Sequence, residues 1–302
     1  MNGIELHHPA GSLATSTHQV DLTPELAGWS FTGLQVISLE PKLERSISMT
    51  DCEAIVLPLA CVNLRVACDG ETFAVDGRTS VFARVTDFVY AGLGSAITMS
   101  SPTGGEVAIA TSRCDTKFPS AYGPVSGVAI ETRGAGPATR QVTNFMSPAT
   151  WPNASKLMCV ELLTPDGNWS SYPPHRHDES PECPVNNEEI YYFRIGRTGT
   201  TQCDPRGFGM HRTYTPNGEI DVNIEVRDGD VFCVPRGYHG PCVAAPGYPM
   251  YYLNVLAGPG DERSMAFCDD PAHHWVRDTW ADMPTDNRVP MTDANGVVSK
   301  GK

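Results

Sequence analysis

Between His18 and His175 the 302-residue chain contains no histidine. Imidazole chemistry is therefore confined to the second half, because His7, His8 and His18 precede the first strand-like runs and read as surface or flexible residues. No apolar run approaches the roughly 20 residues of a membrane-spanning helix. The first residues, MNGIELHHPAGS, have neither the basic nor the apolar stretch of a secretory leader. A soluble, cytoplasmic protein is expected. Basic residues are few, with 22 Lys and Arg against 35 Asp and Glu and a formal charge of −13, which argues against nucleic acid and anionic membrane as partners. The 10 cysteines include no CxxC pair. Several, such as Cys61, Cys159 and Cys233, sit in apolar runs, so reduced thiols acting as small hydrophobes are expected rather than disulfides or zinc knots.

Helical periodicity is nearly absent too. The first third reads as short β-type runs, GWSFTGLQVISLE, EAIVLPLA, VNLRVAC, ETFAVDG, SVFARV, DFVYAG, AITMSS and EVAIATS, separated by DG, GLG and TGG turn signals. A Gly- and Pro-rich interval, RGAGPATRQVTNFMSPAT, precedes a second set: KLMCVELL, EEIYYFRI, FGMHRTYT, DVNIEVRDGD, VFCVP and MYYLNVLAG. Without βαβ alternation, this pattern predicts an all-β fold of two antiparallel domains, each a sandwich or a β-barrel (jelly-roll), residues 1–135 and 136–276. The polar, turn-rich tail, 277–302, is expected to end in mobile residues. His273 and His274 are adjacent, point apart in either a strand or a helix, and are not read as a second metal site.

The metal-ligand residue types cluster between Pro173 and His239. His175 and His177 are two apart, so on a strand both imidazoles leave one face. Glu189 opens the run EIYYFRI and shares its face with Tyr191, Phe193 and Ile195. A carboxylate on an apolar face wants a cation. His239, after the turn-rich GDVFCVPRGYH, offers a further ligand from another strand. His175, His177, Glu189 and His239 thus suit a divalent metal, zinc first, with manganese or iron as alternatives. The insertion DESPECPVNNE reads as a loop between the two motif strands.

His175, His177, Glu189 and Gly196 reproduce the residues of the first cupin motif, with eleven residues rather than a few between His177 and Glu189, and Gly229, Pro235, Gly237 and His239 those of the second, with only Tyr238 before the histidine. From Arg140 to about Trp275, the segments NWSSYPPH, EEIYYFRI, GFGMHRTYT, VPRGYH and YYLN resemble the 5-deoxy-glucuronate isomerase family, the bicupins of myo-inositol catabolism. The N-terminal 130 residues resemble it more loosely, chiefly in GWSFTGLQVISLEP. Where the family leads us to expect His after RQV the chain has Thr143, and GYHGPC replaces a plainer turn. The resemblance implies a metal-dependent aldose–ketose isomerase, an intramolecular oxidoreductase converting 5-deoxy-D-glucuronate to 5-dehydro-2-deoxy-D-gluconate, on a bicupin whose first barrel is degenerate.

A cupin dioxygenase with a 3-His-1-Glu site and a non-catalytic sugar-acid-binding bicupin are the competing readings. The polar residues Asn254, Tyr252, Arg212 and Glu161 on the strands suit a small sugar acid better than the apolar pocket of an oxygenase. The substrate carboxylate needs a cation, with Arg140 and Arg212 as candidates and Asn254 as a further binding residue. Arg212 and Tyr252 are the catalytic candidates. The proton-carrying base is open among Tyr192, His211, Tyr214 and Tyr252, although strand parity turns Tyr192 away from Glu189. A homo-oligomer is left open.

Overall fold

The longest strand, Cys52–Cys68, is buried on both faces from Glu53 to Leu59 and alternates thereafter. Its sequence explains the change: EAIVLPLA is continuously apolar after its first residue, whereas VNLRVAC alternates. A bulge between Pro58 and Ala60 absorbs the missing proline donor. Asp69 and Gly70, both at positive φ, then turn the chain into Glu71–Arg78, the conformation for which an Asp-Gly pair is suited. The computed structural model describes residues 5–178, 183 and 185–298; residues 299–302, within the expected mobile end, lie outside these.

The fold is antiparallel β throughout, with a single α-helical turn, Pro24–Ala27, and a few 3₁₀ turns among the described residues. None of these helices is long and apolar enough to cross a membrane. A nine-stranded sheet carries the path Phe88–Ala91, Cys52–Cys68, Gly105–Arg113, Thr32–Leu39, Val20–Leu22. A seven-stranded sheet carries Val231–Val234, Glu188–Ile195, Met250–Ala257, Met158–Thr164, Arg140–Asn144. These paths run in the same topological order. A six-stranded sheet, centred on Phe208–Tyr214 and Tyr238–Ala244, faces the second of them.

Strand parity divides the core into layers. Ile55, Leu57 and Leu59 pack with Ile190, Tyr192, Leu253 and Val255 in a core shared by the two large sheets. Ala54 and Val56 point instead into a cluster within the first half, and Tyr191, Phe193, Tyr252 and Phe232 into one within the second. Each half also lends a carboxylate to the other. Glu53 accepts hydrogen bonds from the backbone N–H of Ser155, Lys156 and Leu157 at 2.8, 2.5 and 2.7 Å. Glu188 accepts from those of Ser30, Phe31 and Thr32 at 2.7, 2.8 and 2.9 Å.

His7 and His8 depart from the surface role expected of them. They form a strand paired with Phe232 and Val231, His8 is buried, and His7 Nε2 lies 2.9 Å from Asp230. Glu161, expected near the site, faces the shared core, where it pairs with the buried Arg78 and accepts from Tyr251 at 2.7 Å. Removing one partner of a buried pair strands the other charge. Arg78→Met is accordingly expected to cost about 3–5 kcal/mol of unfolding free energy in a denaturant titration, far more than a surface change. All 10 cysteines are free.

Candidate functional site

The site lies where the six-stranded sheet faces the strand Glu188–Ile195. In the six-stranded sheet His175 and His239 are direct cross-strand partners, with ring centroids 4.9 Å apart. Gly240 makes this approach possible: it adopts φ +99, and a Cβ there would run into the Ser171 carbonyl and the His175 ring. The unusual glycine after GYH therefore has a steric reason. His177 follows two residues after His175, and its carbonyl accepts from Asn187 N at 2.9 Å. The long insertion thus leaves and rejoins at one point, so Glu189 stays in register with the imidazoles. Residues 179–182 and 184 of that loop lie outside the described residues.

Ligand nitrogens of His175, His177 and His239 lie within 4.8 Å of one another. Glu189 Oε2 is 2.9 Å from His177 Nε2 and 2.6 Å from His239 Nε2. Nδ1 of His175 and of His239 face the carbonyls of Pro173 and Gly237 at 3.1 and 3.0 Å. Donating Nδ1–H there leaves Nε2 as the lone-pair nitrogen of each ring. Burial, then the neighbouring His239 and His177, push His175 down to about 3, so it is neutral at physiological pH. Burial alone would raise Glu189, but His239 and His177 outweigh it and hold the carboxyl well below its usual range. Burial alone would depress His239, but Glu189 outweighs it and moves that imidazole up.

Six buried polar atoms around this point make no hydrogen bond among the described residues: Arg140 Nε, His177 Nδ1, Glu189 Oε2, Tyr191 Oη, His239 Nε2 and Asn254 Oδ1. Folded proteins leave few such groups unpaired. A concentration of them, with a carboxylate oxygen close to two imidazoles yet not hydrogen-bonded in proper geometry, fits a cation and a polar ligand. The residues therefore suit the metal expected from the sequence.

A cavity of about 140 Å³ opens onto these groups, lined by His175, His177, Glu189, Tyr191, Asn254 and Arg140 among others. Asn254 donates its side-chain amide to Glu189 Oε1. Arg140 is nearly fully buried, and Nη1 donates to the Ala138 carbonyl at 3.0 Å. Burial above all, with the like charges of Arg133 and Arg277, lowers it to about 10, still cationic at neutral pH. Arg133 and Arg277 line the same cavity but own carboxylates: Glu131 at 2.9 and 2.7 Å, and Asp269 at 2.5 and 2.7 Å. Arg140 has no ion-pair partner among the described residues.

Arg212 does not join the site. Alternation along Phe208–Tyr214 puts it on the outer face, where it pairs with Asp221 at 3.0 Å and covers the Tyr214 ring. Tyr252 is fully buried in the same core, but Ser170 and Ser171 occupy its hydroxyl at 2.6 and 2.5 Å. Of the other proton-carrier candidates, Tyr192 faces the shared core. His211 is held by Cys242 and Thr213 at 3.0 and 2.9 Å, and Tyr214 donates to Asp270 at 2.5 Å. Sequence reasoning missed Arg133 and Arg277. Arg277 comes from the 3₁₀ segment His274–Asp282, whose return to the cavity no periodicity signals.

The family model described as KduI/IolB matches residues 6–276. The chain belongs to the KduI/IolB family. A curated relative, 5-deoxy-glucuronate isomerase of Geobacillus kaustophilus, is 36% identical over 275 residues, covering 90% of this chain and 95% of that protein. The enzyme of the same name from Geobacillus thermodenitrificans is 36% identical over 267 residues, covering 86% and 91%. The crystal structure of an IolB-like protein from Salmonella typhimurium superposes with a TM-score of 0.81 at 28% identity, covering 90% and 99%. Oxalate decarboxylase of Lactobacillus farciminis shares the fold, with a TM-score of 0.60 at 12% identity and 88% of each chain covered.

Proposed function

We propose that this KduI/IolB-family enzyme isomerises 5-deoxy-D-glucuronate to 5-dehydro-2-deoxy-D-gluconate, as a cytoplasmic step of inositol catabolism, at a divalent cation held by His175, His177, Glu189 and His239. In that reaction the hydrogen beside the aldehyde moves to the aldehyde carbon and the neighbouring hydroxyl proton to the aldehyde oxygen. The product is an isomer, with no oxidant or reductant consumed. His175, His177, Glu189 and His239 would hold the cation, zinc first and manganese or iron next, which would supply Lewis acidity for the reaction. Asn254 fixes the Glu189 carboxylate, while Arg140 orients the substrate by its acid end.

The observation that carries the reading is the buried, carboxylate-free Arg140 in the same small cavity as three clustered imidazoles. A buried guanidinium without an anion is costly, and a sugar acid supplies the anion in bidentate geometry.

We also read the chain as a bicupin, 1–135 and 136–276, with 277–302 as a tail. The shared strand order and the reciprocal Glu53 and Glu188 contacts support this, and subunit association stays open. Equating Glu53 with Glu188 sets Ala54 against Glu189 and Val56 against Tyr191, so the first barrel keeps the shape without the ligands. Metal titration is expected to give one equivalent per chain, removed by His239→Ala. Two equivalents, one surviving that change, would overturn the assignment.

A further inference from the structure

Of the polar groups lining the cavity, Tyr191 is the one whose hydroxyl has no well-formed hydrogen bond to any described residue. The residue is fully buried, and its Oη makes no hydrogen bond among the described residues. The Ser171 hydroxyl lies near enough to act on it but not in hydrogen-bonding geometry, and sits against Tyr252 Oη at 2.5 Å. The ring is held from several sides. It stacks on Tyr252 at a centroid distance of 4.7 Å and meets His211 and His239 edge-on at 5.4 and 6.2 Å. On the strand Glu188–Ile195 it stands two residues after Glu189 and so on the same face, with Asn254 as its cross-strand partner. A rigid phenol with a free O–H, set beside the ligand cluster, lacks only an acceptor.

An unpaired buried hydroxyl destabilises a fold, and the usual remedy is a change to phenylalanine, which this core would accept. Tyr252 shows the alternative within the same stack, because both of its hydroxyl contacts are built into the protein. The Asn254 amide is likewise spent on Glu189.

We propose that Tyr191 is a catalytic hydrogen-bond donor, whose neutral O–H meets the substrate oxygen that gains negative charge as the neighbouring carbon loses its hydrogen. The inference rests on the isomerase reading and names a residue for it. No proton is transferred from Tyr191. The phenol stays intact and lowers the energy of the charged oxygen beside the cation, in the manner of an oxyanion-hole donor. Fixed by its stack, the donor needs no reorganisation when the charge forms.

The test compares wild type with Tyr191→Phe, which keeps the ring and removes the hydroxyl. Four quantities are read: turnover of 5-deoxy-glucuronate, metal content, melting temperature, and calorimetric affinity for D-gluconate, an open-chain hydroxy acid without an aldehyde. A donor used in the transition state predicts a fall in kcat of about 10²- to 10³-fold, with metal content and gluconate affinity unchanged. A kcat close to that of wild type, or a loss of metal or melting temperature that accounts for the fall, would overturn the proposal. A wild-type control inactive on the sugar acid would overturn the isomerase reading itself and this inference with it.

Discussion

His177→Ala is expected to lower isomerisation by at least about 10³-fold and to release the cation, with the chain still folded. The size follows from losing a Lewis acid worth several kcal/mol of transition-state stabilisation, each 1.36 kcal/mol being tenfold. The fold survives because His177 does little for it. Its Nδ1 has no partner among the described residues, and its Nε2 faces Glu189, which keeps His239 at 2.6 Å. The contact that closes the loop, from Asn187 N, uses the His177 carbonyl and persists in alanine. Metal content, melting temperature and turnover measured on one preparation check the expectation. Retention of a full equivalent of metal would remove His177 from the ligand set.

Arg140→Met is expected to act on the substrate without harming the protein. Losing a buried, charge-assisted contact to a carboxylate costs about 2–5 kcal/mol, which corresponds to a fall in kcat/KM of roughly 30- to 5,000-fold. Stability should hold or rise, because the substitution deletes a buried cation that burial has already pushed down to about 10 and that pairs with no carboxylate among the described residues. Groups placed for ligands rather than for packing often show this opposition of stability and activity. Arg212→Ala, on the outer face with its charge screened by solvent, serves as the control and should leave kcat/KM unchanged. A Michaelis constant untouched by Arg140→Met would dispose of the carboxylate assignment.

The convergence of His175, His177, Glu189 and His239 was legible because strand parity and spacing are local properties. His175 and His177 share a face by the period of two, and Glu189 with Tyr191 does the same. The all-β class was legible from repeated short runs and turn signals, and Asp69-Gly70 turned as such pairs do. Arg140 was legible as a candidate, but its burial was not, since that depends on Trp280 and the tail folding back over it. Arg212 and Glu161 misled for the opposite reason. Each is polar on a strand near the motifs, but side is decided by register against neighbours, and one alternates outward while the other faces Arg78. His7 was read as surface because nothing local reveals that it pairs with Phe232, more than 200 positions away. The free hydroxyl of Tyr191 is a negative fact, the lack of a partner, and becomes visible only when every neighbour of the ring is placed.

The central claim is that one cation, held by three imidazoles and Glu189, serves a redox-neutral isomerisation. Anaerobic turnover of 5-deoxy-glucuronate by protein of known metal content, before and after chelation, tests it most directly. The account predicts conversion to the keto acid without oxygen or nicotinamide, at a rate proportional to bound metal up to one equivalent, abolished by chelator and restored by adding the ion back. Turnover coupled to oxygen consumption, or a rate indifferent to removal of the metal, would contradict it.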